Sequence, residues 1–76
     1  MDHEALKCMQ EFKAGDKFKC LHTFDTGIST VWKDEVVEFI NEHILFGKSA
    51  VYYKQKDNRI LTYTGHFKDL FVPVKL

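Results

Sequence analysis

The sequence predicts a mainly β fold, a small barrel of about five antiparallel strands preceded by a short N-terminal helix. Three observations carry that expectation. The last third, SAVYYKQKDNRILTYTGHFKDLFVPV, reads as two strands joined by a tight turn, then a short bend, then a closing strand. Upstream, KFKCLHT alternates apolar and polar residues with the period of a half-buried strand. The composition suits a small domain: hydrophobic residues make up 45% of the 76, with seven Phe, three Tyr and one Trp. Large aromatic rings give much buried area per residue, and a chain this short buries only roughly 60% of its unfolded surface.

The elements follow in chain order. Over residues 2 to 12, Asp2 is placed to cap a helix, Glu4 lies in its first turn, and Ala5, Leu6, Met9 and Phe12 recur at helical spacing. Gly15 and Asp16 then turn the chain into a strand over 17 to 23, with Phe18, Cys20 and His22 on one face and Lys17 and Lys19 on the other. Residues 24 to 30, FDTGIST, read as a loop built on Asp25 and Gly27.

The segment VWKDEVVEFINEHILFG supports two readings. On a helix, Trp32, Val36, Phe39, Ile40, His43 and Ile44 form one arc opposite Asp34, Glu35, Glu38, Asn41 and Glu42, with Gly47 as the stop. On a strand, Val37 and Phe39 share a face against Val36, Glu38 and Ile40, in a run rich in β-branched and aromatic residues. Periodicity alone favours the helix, so the alternative fold class is α+β, an antiparallel sheet packed by a second helix at 35–43.

The C-terminal third has one reading. Val51 and Tyr53 alternate with Ala50, Tyr52 and Lys54. Asp57-Asn58 supplies the turn, and Ile60 to Thr64 returns with Leu61 and Tyr63 on one face. Gly65 ends that strand, His66 to Leu70 make a single helical turn, and Phe71 to Val74 close the sheet. Pro73 cannot donate a ladder hydrogen bond, so the last strand belongs at an edge. No repeat, linker or low-complexity tract divides the chain, which reads as one domain over 1–76.

Eleven basic and eleven acidic residues give zero formal net charge, which removes the long-range attraction that draws basic domains to phosphate backbones. The sequence shows no secretory signal pattern and no apolar run long enough to span a bilayer. The expectation is a soluble cytoplasmic protein. Cys8 and Cys20 are too far apart for a C-x-x-C pattern and read as reduced thiols, with Cys20 a buried small hydrophobe.

Gly15-Asp16-Lys17-Phe18-Lys19-Cys20, then KDEVVEFI over 33 to 40, then YYKQKDNRI and HFKDLFVPV together resemble the small SH3-like barrel proteins of tailed bacteriophages. The resemblance covers residues 13–75 and implies a Gly-Asp-led first strand, a long loop, a second strand, a short hairpin and a Phe-rich closing strand after a one-turn helix. The chain departs from that pattern in two places. Asp34 stands where a glycine is expected beside Lys33, and Phe39 to Ser49 is longer than the usual hairpin. Of function the resemblance implies little, because such folds host many activities.

The candidate residues point to binding rather than to chemistry. His3, His22, His43 and His66 lack the close spacing of zinc ligands, and no metal or other cofactor is implied. Cys20 and His22 share a strand face, but a nucleophilic pair also needs an electropositive setting and an orienting third group, so no enzymatic activity is expected. Phe24, Ile28 and Trp32 lie in or beside the long loop, where exposed aromatics would form a protein-binding patch; the default for Trp32 is core. Asp34, Glu35 and Glu38, continued by Glu42, would present an acidic face to a basic partner.

The expected function is a small non-enzymatic interaction module. Viral in origin on the resemblance, it would act in the host cytoplasm by binding and inhibiting or adapting a host or viral protein through roughly 800 Å² of surface. It is expected as a monomer or weak homodimer, with no membrane partner. One alternative is single-stranded nucleic-acid binding through Lys48, Tyr52, Lys54, Lys56 and Arg59, disfavoured by the neutral balance. Another is a structural component of the virion.

Overall fold

A computed structural model describes residues 12–74. Its strands are β1 (Lys17–Cys20), β2 (Phe24–Asp25), β3 (Thr30–Val31), β4 (Val36–Leu45), β5 (Lys48–Gln55), β6 (Asn58–Tyr63) and β7 (Phe71–Pro73), with one helix, α1 (Thr64–Leu70), between the last two. Five strands form an antiparallel sheet in the order β6-β5-β4-β1-β7, and β2 pairs with β3 in a separate two-stranded ladder. A four-strand meander, β1, β4, β5 and β6, followed by a fifth strand, β7, that returns beside β1 is the small barrel-like β fold that the sequence predicts. The expected helix over 2 to 12 lies outside the described residues apart from Phe12.

The second helix at 35–43 is not formed, because that stretch is β4. It pairs with β1 through Val36, Val37 and Glu38 and with β5 from Glu38 to Leu45, so ladders on both sides override the helical pattern. The register shifts between Phe39 and Asn41. This bulge at Ile40 leaves one residue unpaired and bends the strand, as β-bulges do.

Three turns differ from the sequence expectation. The β4–β5 connection is a two-residue turn at Phe46 and Gly47, with φ of 52° and 78°. Positive φ at both central residues is the type I′ geometry that matches strand twist, so Gly47 serves a hairpin rather than a helix end. The β5–β6 turn falls on Lys56 and Asp57, one residue earlier than expected, and Asn58 already pairs with Gln55. The loop at 24 to 30 contains the β2–β3 ladder, with Phe24 opposite Val31 and Asp25 opposite Thr30. The first strand also stops at Cys20, leaving His22 exposed.

The core is aromatic and centres on Phe67 of α1. Its ring lies 5.0 Å from Phe18, 5.4 Å from Tyr53 and 4.6 Å from Phe71, centroid to centroid. Cys20, Val31, Val37, Phe39, Val51 and Ile60 complete the buried cluster, with Phe12, Phe24 and Leu70 against its margin. A seven-residue helix is too short to be stable by itself; burial of Phe67 holds it across the barrel end. Pro73 sits on the edge strand β7 as expected, and the Val74 amide donates to the Lys17 carbonyl at 2.9 Å.

Candidate functional site: a pinned loop with an exposed tryptophan

The loop from Phe24 to Glu35 presents the most distinctive chemistry of the surface. Trp32 is 60% exposed and Ile28 is 68% exposed. The core expectation for Trp32 is therefore incorrect: Val31 takes the inward position of β3 and is fully buried, so the next residue must face out. Phe24 does not join the exposed pair. Its ring packs edge-to-face on Phe71 at 5.8 Å and anchors the base of the loop.

A buried glutamine fastens this loop to the barrel. Gln55, the last residue of β5, is 1% exposed. Its amide Nε2 donates to the Thr30 carbonyl at 2.8 Å and to Glu35 Oε2 at 3.1 Å, while its Oε1 accepts from Ser29 Oγ at 2.7 Å. Both amide protons and the carbonyl oxygen are thus used, which removes the penalty of burying a polar group. Glu35 carries the linkage onward, since its Oε1 accepts the Trp32 amide at 2.9 Å.

Local turn chemistry shapes what Gln55 holds. The Thr26 amide donates to the Ser29 carbonyl at 2.8 Å, the Ser29 amide donates to Thr26 Oγ1 at 3.1 Å, and the Gly27 amide donates to Asp25 Oδ1 at 2.8 Å. The last is an Asx-type turn that places Gly27 at φ 99°, a conformation suited to glycine. At the other end, the Glu35 amide donates to the Trp32 carbonyl at 2.9 Å and Asp34 has φ 73°. A positive φ at the third residue of a turn is a glycine position, and Asp34 occupies it. Its amide donates to the Cys20 carbonyl at 2.7 Å, and the Lys33 amide donates to Thr23 Oγ1 at 2.8 Å, so the turn is also tied to the end of β1.

The acidic residues do not share a face. Asp34 is exposed in its turn, Glu35 is half-buried and committed to Trp32 and Gln55, and Glu38 lies on the outer sheet face 3.5 Å from Lys17 Nζ. Glu42 accepts from Ser49 Oγ, which also meets Thr64 Oγ1 at 2.5 Å. A helix would have aligned them; the strand distributes them over a turn and two faces.

The remaining candidates are placed as follows. Cys20 is a buried free thiol whose Sγ donates to the His22 carbonyl at 3.0 Å, and burial pushes its pKa up. A buried thiol with a raised pKa, bonded to the His22 backbone carbonyl, is the reverse of an activated nucleophile. His22, His43 and His66 are all exposed, and among the described residues no cluster of three or more potential ligands is placed to hold a metal. Lys48, Tyr52, Lys54 and Arg59 do come together on one sheet face, while Lys56 stands in the adjoining turn. Among the described residues no helix is long and apolar enough to cross a membrane.

Sequence reasoning missed Gln55. A signal was present: it shares strand parity with Val51 and Tyr53, both inward-facing. Compared with known proteins, the chain matches no protein family, no curated protein and no solved structure.

Proposed function

We propose that the protein is a non-enzymatic interaction module that recognises a partner protein through the Phe24–Glu35 loop, with Trp32 and Ile28 as its anchors. The observation that carries this reading is an exposed tryptophan on a loop held by a fully hydrogen-bonded buried glutamine. Large rigid aromatics dominate interface energetics. A loop already fixed in its bound shape avoids the ordering cost that otherwise erodes affinity.

Asp34, exposed beside Trp32, favours a partner with a basic rim around an apolar pocket. In keeping with the resemblance to bacteriophage barrels, the partner is a host or viral protein. The mode of action is occupation of a surface on that larger protein, by competition or adaptation.

The test is affinity capture from bacterial lysate with tagged wild type, Trp32→Ala and Phe46→Ala. Phe46 is the more exposed ring, at 89%, and so controls for general stickiness. A prey retained by wild type and Phe46→Ala, and reduced about tenfold or more by Trp32→Ala, supports the reading. Equal capture by Trp32→Ala, or a prey lost with Phe46→Ala instead, overturns it.

A further inference from the structure

The outer face of the five-stranded sheet carries a charge pattern that the neutral total hides. Residues directly opposed in antiparallel strands share a face. The register therefore lays Lys17, Glu38, Lys54 and Arg59 in one row across β1, β4, β5 and β6. Lys19, opposite Val36 and Val72, stands on the same face toward the β7 edge, and Lys48 stands at its other end opposite Leu45. Five cations thus share the face with one strand carboxylate, because Glu42 opposes Val51 and points to the core side. Lys17 engages that carboxylate, and Lys54 and Arg59 have no ion pair among the described residues.

Between the cation row and Lys48 lie two rows of different character. Asn41, Tyr52 and Leu61 form one; His43, Ala50 and Tyr63 form the next. They stand two and four residues along β5 from Lys54, about 7 and 14 Å. His43 meets Tyr52 edge-to-face at 5.8 Å, and Lys48 Nζ sits 5.7 Å from the Tyr63 ring centroid, so neighbours orient both tyrosines. Ala50, fully buried, is the small residue between His43 and Tyr63.

We propose that this face binds single-stranded nucleic acid, with phosphates on Lys19, Lys17, Lys54 and Arg59 and bases on Tyr52 and Tyr63. Cations complement the phosphate backbone, and aromatic side chains accept unpaired bases of any sequence. A duplex keeps its bases stacked on one another and would use the cations alone. The neutral total weakens long-range steering without removing contact at the face, so the interaction belongs to low salt. The surface is separate from the Trp32 loop and does not rest on the protein-partner reading.

The test is fluorescence anisotropy with a labelled oligothymidylate of about 15 nucleotides, a duplex of equal length, and heparin. Wild type is expected to bind the single strand with log K falling against log salt at a slope of about −2 to −3, as three or four phosphate contacts require. Lys54→Glu with Arg59→Glu, both exposed and off the core, is expected to weaken binding more than tenfold. Tyr63→Leu is expected to weaken it about tenfold, and Trp32→Ala to leave it unchanged. Circular dichroism checks that each variant is folded. No single-strand binding at low salt, unchanged binding by the double variant, or duplex or heparin binding as tight as the single strand overturns the proposal.

Discussion

The Phe24–Glu35 loop and the β4–β5 hairpin tip both push large apolar side chains into solvent, Ile28 and Trp32 in the first, Ile44 and Phe46 in the second. They differ in what lies behind them. The first is tied to the barrel by the three hydrogen bonds of Gln55, by Glu35, and by backbone bonds to the end of β1. The second continues a two-stranded ladder and closes with Phe46 and Gly47 at positive φ. Exposure alone therefore does not pick out a recognition surface. A buried polar side chain spent on fixing a loop is the stronger sign, because burying it without full satisfaction would cost more than an apolar residue in its place.

The largest expected effect comes from removing that fastening. Gln55→Ala leaves Ser29 Oγ, the Thr30 carbonyl and Glu35 Oε2 without their partner and opens a gap beneath the loop. Urea unfolding should show a loss of about 3 kcal/mol. A loss below about 1 kcal/mol would mean that the loop is held by its own turns.

Tyr53, two residues earlier in the same strand, sharpens the comparison because it is the opposite case. Its hydroxyl is buried and, among the described residues, has no hydrogen-bond partner. Tyr53→Phe should raise stability by about 1 kcal/mol at neutral pH. The alkaline limb is tied to the same region. Burial, reinforced by Glu35, pushes the Cys20 thiol above its ordinary 9.0 and the Tyr53 phenol above its ordinary 10.0. Groups that hold their protons more tightly when folded contribute stability below those ordinary values and lose it as pH rises past them. Wild type should therefore weaken above pH 9.0, and Tyr53→Phe should show a shallower decline. An identical pH profile for the two proteins would remove the phenol from this account.

The smallest effects come from the left-handed residues of the two regions. Phe46→Asn should stabilise by about 0.5 kcal/mol, since a bulky residue is strained at positive φ and Asn is tolerated there. Asp34→Gly should gain less, about 0.3 kcal/mol, because Asp already tolerates that conformation. Thermal unfolding of the pair ranks them; a larger gain at Asp34 would reverse the assignment of strain.

Most of the barrel was legible in the sequence, and the places where it was not have physical causes. In β4 the bulge at Ile40 puts Val37, Phe39, Glu42 and Ile44 on one face, a step of three inside an alternation of two, with only Val37 and Phe39 buried. That insertion is why a helical template fits VVEFINEHI. The C-terminal hairpin has no bulge and its alternation is unbroken; it was read correctly except for one residue at the turn and for Thr64, which opens α1 instead of ending β6. Asp34 has φ 73°, a backbone conformation that favours glycine, and nothing in the residue type itself signals it.

At the candidate site, residue type and loop position named Ile28 and Trp32 as candidates for a patch, with core as the default for Trp32, and the structure exposes both. Glu35 and Glu38 were assigned to an acidic face that only a helix would create. Gln55 was passed over because YYKQKDN reads as a polar approach to a turn, and nothing in a single sequence records that a loop 20 to 26 residues upstream folds back onto it.

Amide hydrogen exchange over the loop, in wild type and in Gln55→Ala, tests most directly whether the proposed recognition surface is pre-organised. The account predicts that the amides of Thr26, Ser29, Trp32, Lys33, Asp34 and Glu35, each with an acceptor in the fold, are protected in wild type. In Gln55→Ala they should lose that protection while the Phe18 and Phe39 amides of the barrel keep theirs. Wild-type loop amides that exchange as fast as the unstructured chain, or protection unchanged in Gln55→Ala, would contradict it.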